Sequence, residues 1–213
     1  MKQFDFNLKG YIQGKDGEYG RLAGLVIYPE ARLVTNLIVK RGNLIPHMRV
    51  VPVATVRCTV EDNIYLSVGS HELNQYPQYR IVEREIPITE LDERTVELTA
   101  PYGIYGPAEP TVPTIKQKAR EGIASDQKVI EFGMALENLG GKIGKAVRVV
   151  VNGEHNEMSY VVVQRGLIFH EHLVVPITMV EAISDDSILV TGTDEMLAEL
   201  PRYKDIVEPE FLT

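Results

Sequence analysis

The chain has one cysteine, Cys58, in 213 residues. An internal disulfide is therefore excluded, as is any site in one chain that needs two thiolates. No stretch approaches the roughly 18 uncharged apolar residues of a bilayer-spanning helix, and the opening MKQFDFNLKGYIQG has no signal-peptide apolar core. A soluble, cytoplasmic chain is expected, with a position peripheral to the inner membrane left open. Catalytic signatures are also missing. There is no Gly-x-Ser-x-Gly elbow, and Gly17-Glu18-Tyr19-Gly20 is not followed by the Gly-Lys-Ser/Thr of a phosphate loop. Those glycines read as turn formers. With 17 Gly and 12 Pro, collagen-like and low-complexity classes are excluded. Hydrophobic residues at 44 % and charged residues at 24 % are ordinary globular values.

The net charge of -8 is uneven: residues 1–80 carry about +3 and the remainder about -11. An acidic chain is a poor candidate for sequence-independent nucleic-acid binding. Tyr102 and Tyr105 could stack on bases, but Glu97 and Glu109 beside them disfavour a polyanion.

What the chain does contain is a repeat with an offset of 124 positions. It pairs Gly17 with Gly141 and Gly20 with Gly144. It pairs Val39-Lys40-Arg41-Gly42 with Val163-Gln164-Arg165-Gly166, and Val50-Val51-Pro52 with Val174-Val175-Pro176. Asp62 and Asp186, Leu73 and Leu197, Pro77 and Pro201, and Tyr79 and Tyr203 continue the register without a gap. The predicted organisation is a first repeat over 1–80, a connecting segment over 81–126 containing the Pro/Gly-rich run APYGIYGPAEPTVP, and a second repeat over 127–213.

Each copy reads as short strands separated by turns. Leu22–Tyr28 with Leu33–Val39, and Val147–Val151 with Met158–Val163, predict hairpins around Pro29–Arg32 and Asn152–His155. Asn152-Gly153 is expected to supply the positive-φ residues of the second turn. Strands at this spacing predict a small closed antiparallel β-barrel in each copy, since closure removes edges. A short helix is predicted after each last strand, over 70–77 and 194–201, and a further helix over Ile115–Ile123.

The succession Asp-Gly-x-x-Gly turn, apolar hairpin, Arg-Gly, Val-x-Pro strand, acidic turn and helical leucine before Pro-x-Tyr resembles the PRC-barrel family. It stands twice, except that Gly140 replaces the turn aspartate in the second copy. The family is similar to the cytoplasmic domain of the reaction-centre H subunit and includes the C-terminal domain of a ribosome-maturation factor. The resemblance implies two PRC-barrel-like domains used for protein contacts and assembly, without catalysis and without a cofactor. Docking on a membrane or photosynthetic complex is the role it suggests first. Ribosome or RNP assembly through a ribosomal protein is the alternative, and a small-molecule or metal sensor is the third.

Among candidate sites, His170-Glu171-His172 with Glu154 could ligate a divalent metal, but the repeat equivalents Pro46, His47 and Met48 argue against a built site. Cys58 has Ala182 as its counterpart and is expected to be a small buried residue. The acid pairs Glu61-Asp62 and Asp185-Asp186 are expected on solvated turns. The loops after Arg-Gly are unusually apolar. Arg41, Leu44 and Ile45 in one copy, and Arg165, Leu167, Ile168 and Phe169 in the other, are the candidate protein interface between copies, chains or partners. The partner is of unknown identity, and a homo-oligomer is among the expected states.

Overall fold

The computed structural model describes residues 2–42, 46–87, 114–166 and 171–203. By its contacts the chain divides into two units, Met1–Tyr79 with Gly122–Thr213, and Arg80–Glu121. The second unit is a two-stranded antiparallel ribbon, in register from Arg80 opposite Glu121 to Pro87 opposite Thr114.

The first unit contains both repeats, and every element of one has a counterpart in the other. In the first repeat these are β1 (Gln3–Asn7), β2 (Tyr11–Gly14), β3 (Gly17–Tyr28), β4 (Leu33–Arg41), β5 (His47–Pro52), β6 (Val56–Val60), β7 (Asn63–Leu66) and the one-turn helix α1 (Ser70–Leu73). The ribbon contributes β8 (Arg80–Pro87) and β9 (Thr114–Glu121). The second repeat supplies β10 (Lys128–Glu131), β11 (Ala135–Asn138), β12 (Gly141–Asn152), β13 (Met158–Arg165), β14 (Glu171–Pro176), β15 (Val180–Ile183), β16 (Ser187–Val190) and α2 (Asp194–Ala198).

The first sheet runs β5-β4-β3-β2-β7-β6 and the second β14-β13-β12-β11-β16-β15. The fold is mainly β, as expected, but the closed antiparallel barrels are not found. The pairs β2–β7 and β11–β16 are parallel, and among the described residues each hydrogen-bonded path stays open. The edge of β5 is bridged instead by the chain after α1, where Val50 N–H donates to the Pro77 carbonyl at 2.9 Å and Tyr79 N–H to Met48 at 3.0 Å. Backbone groups can thus be satisfied by an irregular segment as well as by a closing strand.

The two repeats exchange their first strands. β1 leaves its own repeat and pairs with β12, placing Phe4 opposite Val151 and Phe6 opposite Val149. β10 pairs with β3, placing Lys128 opposite Ile27 and Ile130 opposite Leu25. Shifted by the repeat offset, the two registers coincide residue for residue. The hairpin tips obey the same symmetry: Val34 N–H donates to the Asn156 carbonyl at 2.9 Å, and Met158 N–H to Arg32 at 2.9 Å. Phe4, Phe6 and Leu8 therefore pack in one apolar cluster with residues of both sheets, from Leu25 and Leu37 to Val149 and Val161. The limits 1–80 and 127–213 mark sequence repeats, while each sheet draws a strand from the other copy.

Two local expectations are corrected. Thr114–Glu121 is a strand, so no helix spans Ile115–Ile123. Its partner β8 lies more than twenty residues earlier, beyond the reach of local periodicity. At the hairpin tips the positive-φ residues are Asn156 (φ 60) and its counterpart Arg32 (φ 53), not Asn152 or Gly153. Gly153 serves a different need, since a Cβ there would stand 3.0 Å from Lys2 and 3.2 Å from Phe4 on the exchanged strand. The predicted short helices over 70–77 and 194–201 are present as α1 and α2, each little more than one turn.

Candidate functional site

Arg41 lies exposed at the end of β4, with its guanidinium 5.0 Å from the centre of the Tyr19 ring. Beside it is a recess of about 500 Å³ whose lining includes Glu18, Arg21 and Lys40. Arg165 ends β13 opposite Glu171. Leu44, Ile45, Leu167, Ile168 and Phe169 lie outside the described residues, as does His170. Among the described residues no group of three His, Cys, Asp or Glu side chains is placed to hold a metal. Cys58 is exposed, which corrects the buried position expected for it. It sits on β6, an edge strand of its sheet, and its counterpart Ala182 is exposed too.

The acidic turns hold the exchanged strands. Asp62 accepts from Asn7 of β1 at 2.7 Å and forms an ion pair with Arg148 of β12. In the other copy Asp185 pairs with Lys128 of β10 at 3.0 Å. Arg148 also reaches Asp5 at 3.3 Å, and the Tyr203 hydroxyl donates to the same Asp5 oxygen. The Asp5 N–H in turn donates to the Thr59 hydroxyl at 2.8 Å. Two carboxylates, one guanidinium and one phenol thus meet where four separate stretches of the chain converge.

The electrostatics follow from that packing. Burial works against the Arg148 charge, but Asp5, Tyr203 and Asp62 outweigh it and hold the guanidinium above its ordinary range. Burial, reinforced by the Asp5 bond, pushes the Tyr203 phenol well above its usual 10.0. A phenol raised in the fold keeps its proton where the unfolded chain would release one. Its stabilising contribution is complete below about pH 10 and is lost as the pH rises through the folded value. Alkaline titration followed by circular dichroism should show wild type losing stability above about pH 10. Tyr203→Phe should lose that part of the slope while starting less stable at neutral pH. An unchanged alkaline slope in Tyr203→Phe would exclude this linkage.

Next to the cluster is a cleft of about 260 Å³, walled by Val150, Tyr160, Val162, Val174 and Tyr203, with Gln3, Asp5 and Thr59 as its polar lining. Its counterpart in the first repeat is filled. There Val26, Ile38, Val50 and Tyr79 are packed with Val129 of β10 and with Ile123. In the second repeat Asp5 stands where Val129 stands in the first, and Tyr160 where Asn36 stands. Among the described residues, Val147, Val150 and Val162 form a smaller cluster with Tyr160 and Tyr203.

The sequence reading missed Asp5, Arg148, Tyr203 and the cleft. The signal was available in the repeat itself. Where the copies differ in charge, Gly24 against Arg148 and Val129 against Asp5, the duplicated surface has diverged. Reading the repeat for its identities hides such positions.

Comparison of the chain with protein-family models finds no match. Comparison with curated proteins finds none either.

Proposed function

We propose that the chain is a non-catalytic protein-binding or assembly module of tandem PRC-barrel type, with the cleft walled by Tyr160 and Tyr203 as a principal contact. The supporting observation is the asymmetry between equivalent faces. One is packed with Ile123 from its own chain, and the other presents valine and tyrosine walls around a recess that a side chain of that size would enter. Aromatic walls around a recess are the usual anchors of a protein contact. Arg41 and Arg165, with Leu44, Ile45, Leu167, Ile168 and Phe169, are retained in the proposal as further contact residues.

The test is capture by the full chain from a lysate of its native cells, followed by mass spectrometry. Wild type should retain a defined protein, and Tyr160→Asn, which restores the residue of the first repeat, should lower its recovery at least tenfold. The thermal transition of the variant should stay close to that of wild type, because Tyr160 is only half-buried. Equal recovery on Tyr160→Asn would overturn the assignment of the cleft. Failure of wild type to retain any protein would overturn the binding reading itself.

A further inference from the structure

We propose that the recess between Leu139 and Met196 is a docking surface for a basic, amphipathic segment of a partner protein. This rests on the reading of the chain as a binding module, but it concerns a different surface from the Tyr160 cleft.

The recess holds about 540 Å³ and lies between the β11–β12 turn and α2. Leu139 on that turn is 103 % exposed and Met196 on α2 is 57 % exposed. Large apolar side chains standing free on both rims of one recess are uncommon without a partner. The floor includes Val190 and Gly192, and a Cβ on Gly192 would meet the Met179 methyl at 3.2 Å. The flexible Met196 side chain on the rim can adapt to the shape of an incoming side chain.

The first repeat shows how this place is built when it is closed. Lys15 stands where Leu139 stands, Glu72 where Met196 stands, Asp16 where Gly140 stands and Val68 where Gly192 stands. Asp16 reaches across to the start of α1, accepting from the Ser70 N–H at 2.9 and 3.0 Å. That bond holds its carboxyl below the usual range. Val68 packs against the core. Where the first copy has Asp16 and Val68 the second has glycine, and where the first has Lys15 and Glu72 the second has apolar side chains. The four residues of the second copy line one recess, and together they replace two charged rim side chains and a carboxylate that ties the turn to α1 with an open, largely apolar rim.

Charge selects the occupant. Among the described residues, the ionisable side chains lining the recess are Glu181 and Glu195, both exposed, and no basic side chain lines it. In the first repeat the corresponding residues are Arg57 and His71. A second copy of this chain, apposed through the same face, would bring four carboxylates together, and like charges disfavour that contact. An aliphatic or aromatic side chain entering between Leu139 and Met196, flanked by Lys or Arg facing Glu181 and Glu195, satisfies both features. Exposed rim charges would act mainly on the association rate and on its salt dependence.

The experiment uses the full chain and three synthetic peptides followed by fluorescence anisotropy. One is an amphipathic Leu/Lys peptide, the second a Ser/Lys peptide of equal charge, and the third a Leu/Glu peptide of the same apolar pattern. The Leu/Lys peptide should bind, more weakly as salt rises, and the other two at least tenfold more weakly. Leu139→Ser with Met196→Ser should lower affinity for the Leu/Lys peptide at least tenfold, and Glu181→Arg should lower it severalfold. All three positions are exposed, so thermal unfolding should remain near wild type, and Tyr160→Asn should leave the peptide affinity unchanged. Equal binding of the Ser/Lys peptide, or binding unaffected by the Leu139 and Met196 changes, would overturn the proposal. A concentration-dependent dimer abolished by Leu139→Ser would overturn it in favour of self-association. Loss of peptide binding in Tyr160→Asn would move the contact to the other cleft and leave the binding reading intact.

Discussion

Phe6→Ala should lower the stability of the whole two-repeat body by about 3–5 kcal/mol, the usual cost of removing a buried phenyl ring. For a body of this size that corresponds to a fall in Tm of roughly 10 °C. Phe6 is fully buried. A strand that merely decorated its own repeat could fray without consequence. β1 instead completes the sheet of the other repeat, with Phe6 opposite Val149. Hydrogen exchange is the discriminating measurement. Amides of β12 should lose protection together with those of β1, because the exchanged strand and its host form one cooperative unit. Phe6→Leu, which keeps most of the volume, should cost about 1 kcal/mol. Unchanged protection of β12 in Phe6→Ala would show that the exchange carries no stability.

Gly20→Ala and Gly144→Ala should each cost about 3 kcal/mol, at or beyond the top of the usual overpacking range. A Cβ on Gly20 would lie 2.2 Å from the Lys40 carbonyl oxygen, and one on Gly144 would lie 2.5 Å from that of Gln164. Both obstacles are backbone atoms of the neighbouring strand, which cannot swing aside as a flexible side chain would. Gly17 makes the contrast. It has nothing within 4 Å of its would-be Cβ, but its φ is +121. Gly17→Ala should therefore cost about 1–3 kcal/mol through backbone strain alone. Urea unfolding of the three variants separates the two causes. If Gly20→Ala proved no worse than Gly17→Ala, the close approach of β3 to β4 would not be a real constraint.

These glycines also show how much of the fold was legible in advance. The repeat offset placed Gly17 with Gly141 and Gly20 with Gly144, and both pairs hold equivalent places; but Gly20 and Gly144, expected as turn formers, stand inside β3 and β12, where a neighbouring strand's backbone leaves no room for a Cβ. The hairpin strands β3–β4 and β12–β13, the strands β5, β7, β14 and β16 and the short helices were legible because each follows from local apolar runs and turn formers, whereas β1, β2, β6 and their counterparts β10, β11 and β15 were not. The strand at Thr114–Glu121 was not, because its ladder partner is remote in sequence and its own residues fit a helix equally well. Cys58 was misplaced for a related reason. Its neighbours are β-branched and apolar, yet β6 is an edge strand, and half of an edge strand's side chains face outward even when the sequence looks uniformly buried.

The candidate sites divide in the same way. Arg41 and Arg165 could be singled out because their loops break the rule that loops are polar. Asp5, Arg148, Asp62 and Tyr203 could not be grouped from their positions in the chain, since the exchange of β1 and β10 is what brings them together. A pattern of apolar alternation specifies that Phe4 and Phe6 share one buried face, but it is silent about which sheet buries them. The sequence alone determined a duplicated β unit and the place of its main hairpin in each copy. Tertiary structure decided that the sheets are mixed, that the copies trade their first strands, and that among the described residues one copy's outer face is packed with Ile123 while its counterpart keeps a recess. The physical reason is that both possible partners of β1 present nearly the same backbone edge. The choice between them rests on the packing of a shared core, which no local stretch of the chain encodes.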